Sequence, residues 1–302
     1  MMDIINKDCI HISNTMEAID EARDAIVLYH QRKKNNRSSY RSFIMHKPIG
    51  VITSRVDPTV TNIVRKEAHP LFGKPVGGES RISVYDIALR CGFPIDVGLV
   101  GRLDCETSGI MMFTDDYHLG SAVRDPVDES SPLWGSKYKS KEYLLQLNPM
   151  KSFFDVSQFD ASKLEAEMSE PLSFSRNAIE HYAGPANIKV MRVWRSDELS
   201  YGRENLGWVV DVSVVINEGK HHQIRRLASR SGYRVVSLCR TKVAHILSLS
   251  SIPNPGDCRW LTKNEIDELY EAFGLSDDDT NCGDMITSDA AIDESVSARI
   301  DA

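Results

Sequence analysis

From residue 43 onward, short apolar runs alternate with turn-forming residues. Phe43-Ile44-Met45, ended by Lys47-Pro48, predicts a strand. Residues 83–90 predict a helix with Ser83 as N-cap and Asp86 at the capping-box position. Val97–Val100 and Ile110–Thr114 predict strands on either side of a glycine-bounded turn, and 141–147 and 209–216 predict two more. After Gly219 a helical pattern runs through Ser231. A strand pattern follows at 234–238, then an apolar run at 243–249. Thr262–Phe273 predicts a last helix, with Thr262 as cap and Glu265 completing the box. Nearer the start, Met16, Ile19, Ala22, Ile26 and Val27 repeat at helical spacing, so a helix is expected over 15–30. Residues 70–80, PLFGKPVGGES, read as a loop.

Strands and helices mix without a regular βαβ rhythm, which favours an α+β fold over a doubly wound one. The expected organisation has three parts: an N-terminal helix and basic linker at 1–40, a folded body at 41–275, and an acidic, disordered tail at 276–302.

Composition narrows the class. Of 302 residues, 41% are hydrophobic and 26% charged, which excludes a wholly disordered chain. No apolar run approaches the roughly 20 residues of a membrane-spanning helix, and the N-terminus lacks an apolar signal core. The six cysteines form no CxxC pair and no zinc-ligand spacing, so they read as reduced thiols and no metal is expected. These features point to the cytoplasm. The basic run at 32–41 leaves a nuclear address open, and an organellar one is also left open.

The net charge of -7 is unevenly placed. Residues 264–302 hold twelve acids against Arg299 alone, a net -11, which leaves +4 on residues 1–263. A basic body with an acidic tail suits a nucleic-acid partner. On charge alone a soluble protein with an acidic appendix is equally consistent.

Three stretches carry candidate chemistry. The first is Gly101-Arg102-Leu103-Asp104-Cys105-Glu106-Thr107-Ser108-Gly109, between two strands, where a carboxylate can be held rigidly at a sheet edge. As an anonymous loop it reads more readily as a turn with an Arg102–Asp104 surface ion pair. The second, Glu218-Gly219-Lys220-His221-His222-Gln223-Ile224-Arg225-Arg226, follows a strand and opens a helix. Residues 218–242 hold seven bases and one acid, which fits a phosphate site or simply a solvated basic face. Adjacent His221 and His222 are poor evidence for metal, because neighbours on a helix point in different directions. The third is Lys141-Glu142-Tyr143, where alternation puts Lys141 and Tyr143 on one face. Such a Tyr either packs half-buried or stacks on a base.

Together and in this order the three resemble the signature motifs of the pseudouridine synthases of the RsuA/RluA superfamily. GRLDCETSG is similar to the loop bearing the family's catalytic Asp, and KEY to its basic-x-Tyr motif. EGKHHQIRR resembles its third motif, in the form of the RsuA-type branch. His46-Lys47-Pro48-Ile49-Gly50-Val51 is similar to the family's opening strand, and PGDCRWLT at 255–262 to its closing segment.

The resemblance implies a fold with a central mixed, largely antiparallel sheet, flanking helices and a basic RNA-binding cleft. It implies Asp104 as nucleophile, Tyr143 stacked on the flipped uracil, and Arg225 paired with Asp104 to hold it charged. Arg102, Lys141, Lys220, Gln223, Arg226 and Leu238 are then substrate-binding residues, with Leu238 in the apolar pocket wall. No cofactor and no catalytic metal are implied, and the expected partner is RNA, ribosomal first and transfer RNA second, bound by a monomer.

Three departures bear on the target and leave the chemistry alone. Many RsuA-type enzymes carry a small RNA-binding domain ahead of the catalytic one, for which residues 1–40 are too short. The segment 128–140 is longer and more basic than the family's, and 176–208 reads as expanded loops. Two other classes compete: an RNA chaperone that has lost turnover, and a glycoside hydrolase drawing a second acid from Glu106, Asp115 or Asp116.

Overall fold

A computed structural model describes residues 40–54, 81–125, 131–150, 156–176, 179–195 and 208–275. The expected helix at 15–30, most of the basic linker, the loop at 70–80 and the acidic tail lie outside the described residues.

The centre is one mixed sheet. Its strands are β1 (Ser42–Lys47), β2 (Gly98–Val100), β3 (Ser108–Thr114), β4 (Lys141–Pro149), β7 (Asn187–Arg195), β8 (Trp208–Ile216), β9 (Tyr233–Val243), β10 (Leu247–Ser248) and β11 (Cys258–Trp260). β5 (Leu172–Arg176) and β6 (Ile179–Ala183) form a separate antiparallel pair. The order across the sheet is β11-β1-β3-β9-β4-β8-β7, with β2 on β3 and β10 on β9. Pairings are antiparallel except β3 with β9.

Alternation sets the two faces. Phe43 and Met45 of β1 and Met111 and Phe113 of β3 face one core layer, which also holds Leu145, Val212 and Leu227. Ile44, Ile110 and Met112 face the other, with Leu119, Val243 and Leu269. Helices α1 (Val84–Arg90), α3 (Ala161–Ser169) and α4 (Gln223–Arg230) cover the first face; α2 (Tyr117–Arg124) and α5 (Lys263–Phe273) cover the second. Both expected capping boxes form, Ser83 with Asp86 and Thr262 with Glu265.

The structure corrects the sequence reading in three places. Residues 219–220 are irregular and 221–222 form a turn, so the helix after Gly219 begins only at Gln223. The strand read at 234–238 extends to Val243. The supposed loops at 176–208 contain β6 and β7. β7 is an edge strand whose Lys189, Met191 and Arg192 are exposed, which hides the alternation that marks a half-buried strand.

One edge of β3 is shared. β2 pairs with its C-terminal half, from Met112 to Thr114, and β9 takes over at Ser108 and Gly109. The connection 101–107 sits at that changeover, and Asp104 is in its middle.

Candidate active site

The loop holding Asp104 is anchored by the last residue of β1 and the segment that follows it. Lys47 has no exposed surface, and its Nζ donates to the carbonyls of Thr107 (2.7 Å), Pro48 (2.9 Å) and Cys105 (3.3 Å). The Gly50 amide donates to Cys105 O at 2.8 Å, and Thr53 Oγ1 to Leu103 O at 3.1 Å. Leu103 is buried as the loop's apolar peg. Burial pulls the Lys47 ammonium down to about 8. Cys105 and Asp104 oppose that fall and Arg240 adds to it.

Gly109 is where β3 meets β9. Its φ is +116°, and a Cβ there would lie 2.2 Å from the Arg240 carbonyl oxygen. Only glycine fits, which accounts for the second glycine of the loop motif.

The loop borders a cavity of about 590 Å³ between β4, β9 and the turn before α4. Asp104 faces it, with 39% of its side chain exposed. Tyr143 on β4 and Leu238 on β9 line it, both nearly buried. Arg102, Lys220, Gln223 and Arg225 also border it, so seven of the nine predicted site residues meet at this cavity.

Lys141 and Arg226 do not border it. Lys141 lies with Tyr143 on the wall of a second cavity next door. Arg226 points away: its guanidinium stacks 4.2 Å over the Phe174 ring, and its Nε donates to His221 O at 3.3 Å. Gln223 is buried and serves the turn itself. Its Oε1 accepts the Lys220 amide at 3.0 Å, and its Nε2 lies 3.5 Å from Glu218 Oε1.

The expected Arg225–Asp104 pair is not formed. Arg225 Nη1 lies 3.5 Å from Glu106 Oε2, and its Nη2 donates to Glu106 O at 3.2 Å. Asp104 Oδ2 instead faces His222 Nε2 at 3.5 Å. The reason is local. Residue 222 takes a left-handed conformation, φ 55°, as N-cap of α4, which swings its ring toward the loop. The His221 and His222 rings stack at 3.9 Å. Setting two histidines aside as non-ligands misses this second use: a turn ahead of the helix lets one of them reach the carboxylate.

The carboxylates offered for a glycosidase are engaged elsewhere. Glu106 holds Arg225, Asp115 pairs with Arg41 at 3.0 Å, and Asp116 caps α2 through Leu119 N at 3.0 Å. Among the described residues no cluster of His, Cys, Asp and Glu could hold a metal, and no helix is long and apolar enough to cross a membrane.

An exposed carboxylate above an aromatic and aliphatic wall, rimmed by Arg and Lys, suits chemistry on a base carried by a polyanion. That class has a family here. Residues 41–230 match RNA pseudouridylate synthase, and the chain belongs to that family; it is an isomerase of the pseudouridine synthase fold.

Ribosomal small subunit pseudouridine synthase A of Haemophilus influenzae is 23% identical over 230 residues, covering 76% of this chain and 73% of that protein. The protein of the same name from Vibrio cholerae is 25% identical over 234 residues, covering 76% and 74%. A crystal structure of a pseudouridylate synthase aligns with 22% identity and a TM-score of 0.47, over 76% of this chain and 74% of that one.

Proposed function

We propose that this enzyme converts a specific uridine of ribosomal RNA to pseudouridine, with Asp104 as the nucleophile. The observation that carries the reading is Asp104 itself, set on a loop pinned by Lys47 and opening on a cavity walled by Tyr143 and Leu238. Ribosomal RNA is favoured over transfer RNA because relatives aligned over three quarters of the chain are named ribosomal small subunit synthases.

The target uridine leaves its stack and lies against Tyr143, whose ring replaces the lost stacking. The Asp104 carboxylate attacks C1′ and displaces N1, so an O–C1′ bond forms as the N1–C1′ bond breaks, and the freed uracil anion turns in the cavity. C5 then attacks C1′ and releases the Asp104 carboxylate, the C5 proton leaves, and N1 takes up a proton. A carboxylate suits the first step because it is an anion beside an electron-poor sugar carbon.

His222 is placed to orient Asp104. Arg225, held on Glu106, supports the loop two residues further on. Lys220 and Arg102 supply positive charge at the rim for the phosphate backbone. The enzyme works as a monomer in the cytoplasm on this reading.

The test is mapping of pseudouridine, by carbodiimide adduct and primer extension, in unmodified ribosomal and transfer RNA incubated with the protein. New stops confined to ribosomal RNA are expected. Stops confined to transfer RNA would move the substrate there, and stops in neither would remove the proposal.

A further inference from the structure

Next to the active-site cavity lies a second one of about 200 Å³, several times the ~30 Å³ share of one water. It shares Arg102, Tyr143, Gly219 and Lys220 with the active-site cavity, so the two adjoin, with Tyr143 in the wall of both. Its wall is cationic: Arg102, Arg124, Lys141, Lys220 and Arg240 stand against one acid, Glu218.

That acid is already engaged. Glu218 Oε1 accepts the Gly184 amide at 2.5 Å, and its Oε2 lies 3.5 Å from Lys220 Nζ. Arg124 is engaged as well, by Asp125 at 2.7 Å. Among the described residues, Arg102, Lys141 and Arg240 are left without a counter-charge, and of these Arg102 is exposed while Lys141 and Arg240 are the more buried. Arg240 is 4% exposed, and its Nε donates to Ile110 O at 2.9 Å. No carboxylate among the described residues comes within ion-pair distance of its guanidinium. Lys141 has no hydrogen-bond acceptor and no carboxylate at ion-pair distance among the described residues; burial, with the nearby Arg240 and Lys139, pulls it down to about 8, and the more distant Glu218 opposes that fall.

Unpaired charge in a half-dry site is costly, and proteins keep it where a ligand supplies the counter-charge. The register fixes the arrangement, because Tyr143 sits opposite Arg240 across β4 and β9, with a bulge between Glu142 and Tyr143. One nucleotide can therefore place its base on the active-site side of Tyr143 while the backbone passes the cationic side.

We propose that this second cavity binds a phosphodiester group of the RNA substrate, with Lys141 and Arg240 as its principal contacts. The proposal rests on the reading of the first cavity as an RNA-modifying site and adds the subsite that fixes where the backbone runs. Its chemistry is that of a phosphate anion, which free phosphate would share.

The experiment compares wild type, Lys141→Met and Lys141→Arg, using full-length protein and an oligouridylate probe. Affinity is measured across a salt series and melting temperature with and without millimolar inorganic phosphate. Lys141→Met is expected to melt no lower than wild type, since it removes an unpaired cation, yet to bind the probe more weakly. Its log K against log salt slope should fall by about 0.7, the loss of one single-strand phosphate contact, and Lys141→Arg should recover that slope.

An unchanged slope in Lys141→Met would overturn the proposal, as would a lower melting temperature with intact RNA binding. If phosphate raises the melting temperature of wild type but not of Lys141→Met, while the RNA slopes coincide, the cavity holds a free anion and the RNA assignment fails. If the slopes differ as expected while wild type modifies neither RNA pool, the phosphate subsite stands and the synthase reading of the first cavity fails.

Discussion

His222 Nε2 lies 3.5 Å from the Asp104 carboxylate, in the position that motif resemblance gives to Arg225. Arg225 turns to Glu106, at 3.5 Å from its Oε2. The loop therefore holds two separate pairs, one on Asp104 and one on Glu106, two residues along.

This separation predicts the pattern of a double-mutant cycle. Glu106→Gln and Arg225→Ala are expected to be non-additive in turnover, with a coupling of about 0.5–1 kcal/mol for a pair so partly exposed. His222→Gln and Arg225→Ala should instead add. Single-turnover rates on ribosomal RNA check both cycles, and strong coupling between His222→Gln and Arg225→Ala would contradict the separation of the two pairs.

Lys47 is the anchor of the Asp104 loop. Lys47→Met removes three hydrogen bonds to loop and turn carbonyls, of which, among the described residues, only Cys105 O keeps another donor, the Gly50 amide. The expected result is turnover reduced by up to about 100-fold, as for displacement of a catalytic group by ~1 Å, with RNA affinity nearly unchanged. Equal losses in affinity and turnover would contradict a positioning role.

The same residue gives a pH prediction. Lys47 falls from the ordinary 10.5 to about 8 because burial disfavours its charge. Between those values the unfolded chain binds a proton that the native one does not, so this group's contribution to stability rises with pH across the window. The full rise is about 3 kcal/mol per such lysine. Lys141, also near 8, adds to the same window. Denaturant melts at successive pH values should show Lys47→Met and Lys141→Met each with a smaller upward slope than wild type.

Gly109→Ala tests the closest approach in the sheet. The new Cβ would meet the Arg240 backbone at 2.2 Å, on a backbone of positive φ. A loss of roughly 3 kcal/mol in stability is expected from strain and overlap. A variant as stable as wild type would mean that β3 and β9 can part at no cost.

Much of this was legible in the chain. Caps at Ser83 and Thr262 and the buried runs of β1, β3, β4 and β8 announce themselves because local chemistry and burial pattern agree there. Asp104 and Tyr143 stand out by the motifs they sit in, and Leu238 only by what the resemblance implies for the pocket wall. The pairings were not legible. Whether Asp104 meets Arg225 or His222 depends on a single left-handed residue before α4, and residue 222 is a histidine, not the glycine that usually marks such a turn. Lys47 looks like the polar end of a strand, yet it has no exposed surface, because the folded loop supplies two of its three acceptors, Cys105 O and Thr107 O. β7 escaped notice as an exposed edge, and Arg240 because one arginine in a basic run carries no sign of its burial.

The central claim is that Asp104 carries out the isomerisation. The most direct measurement is release of tritium from C5-labelled uridine in ribosomal RNA, comparing wild type with Asp104→Asn. C5 loses its hydrogen only on becoming the glycosidic carbon, so release reports the bond exchange itself. The account predicts release by wild type and none by Asp104→Asn, at nearly equal RNA affinity. Comparable release by both proteins would contradict it.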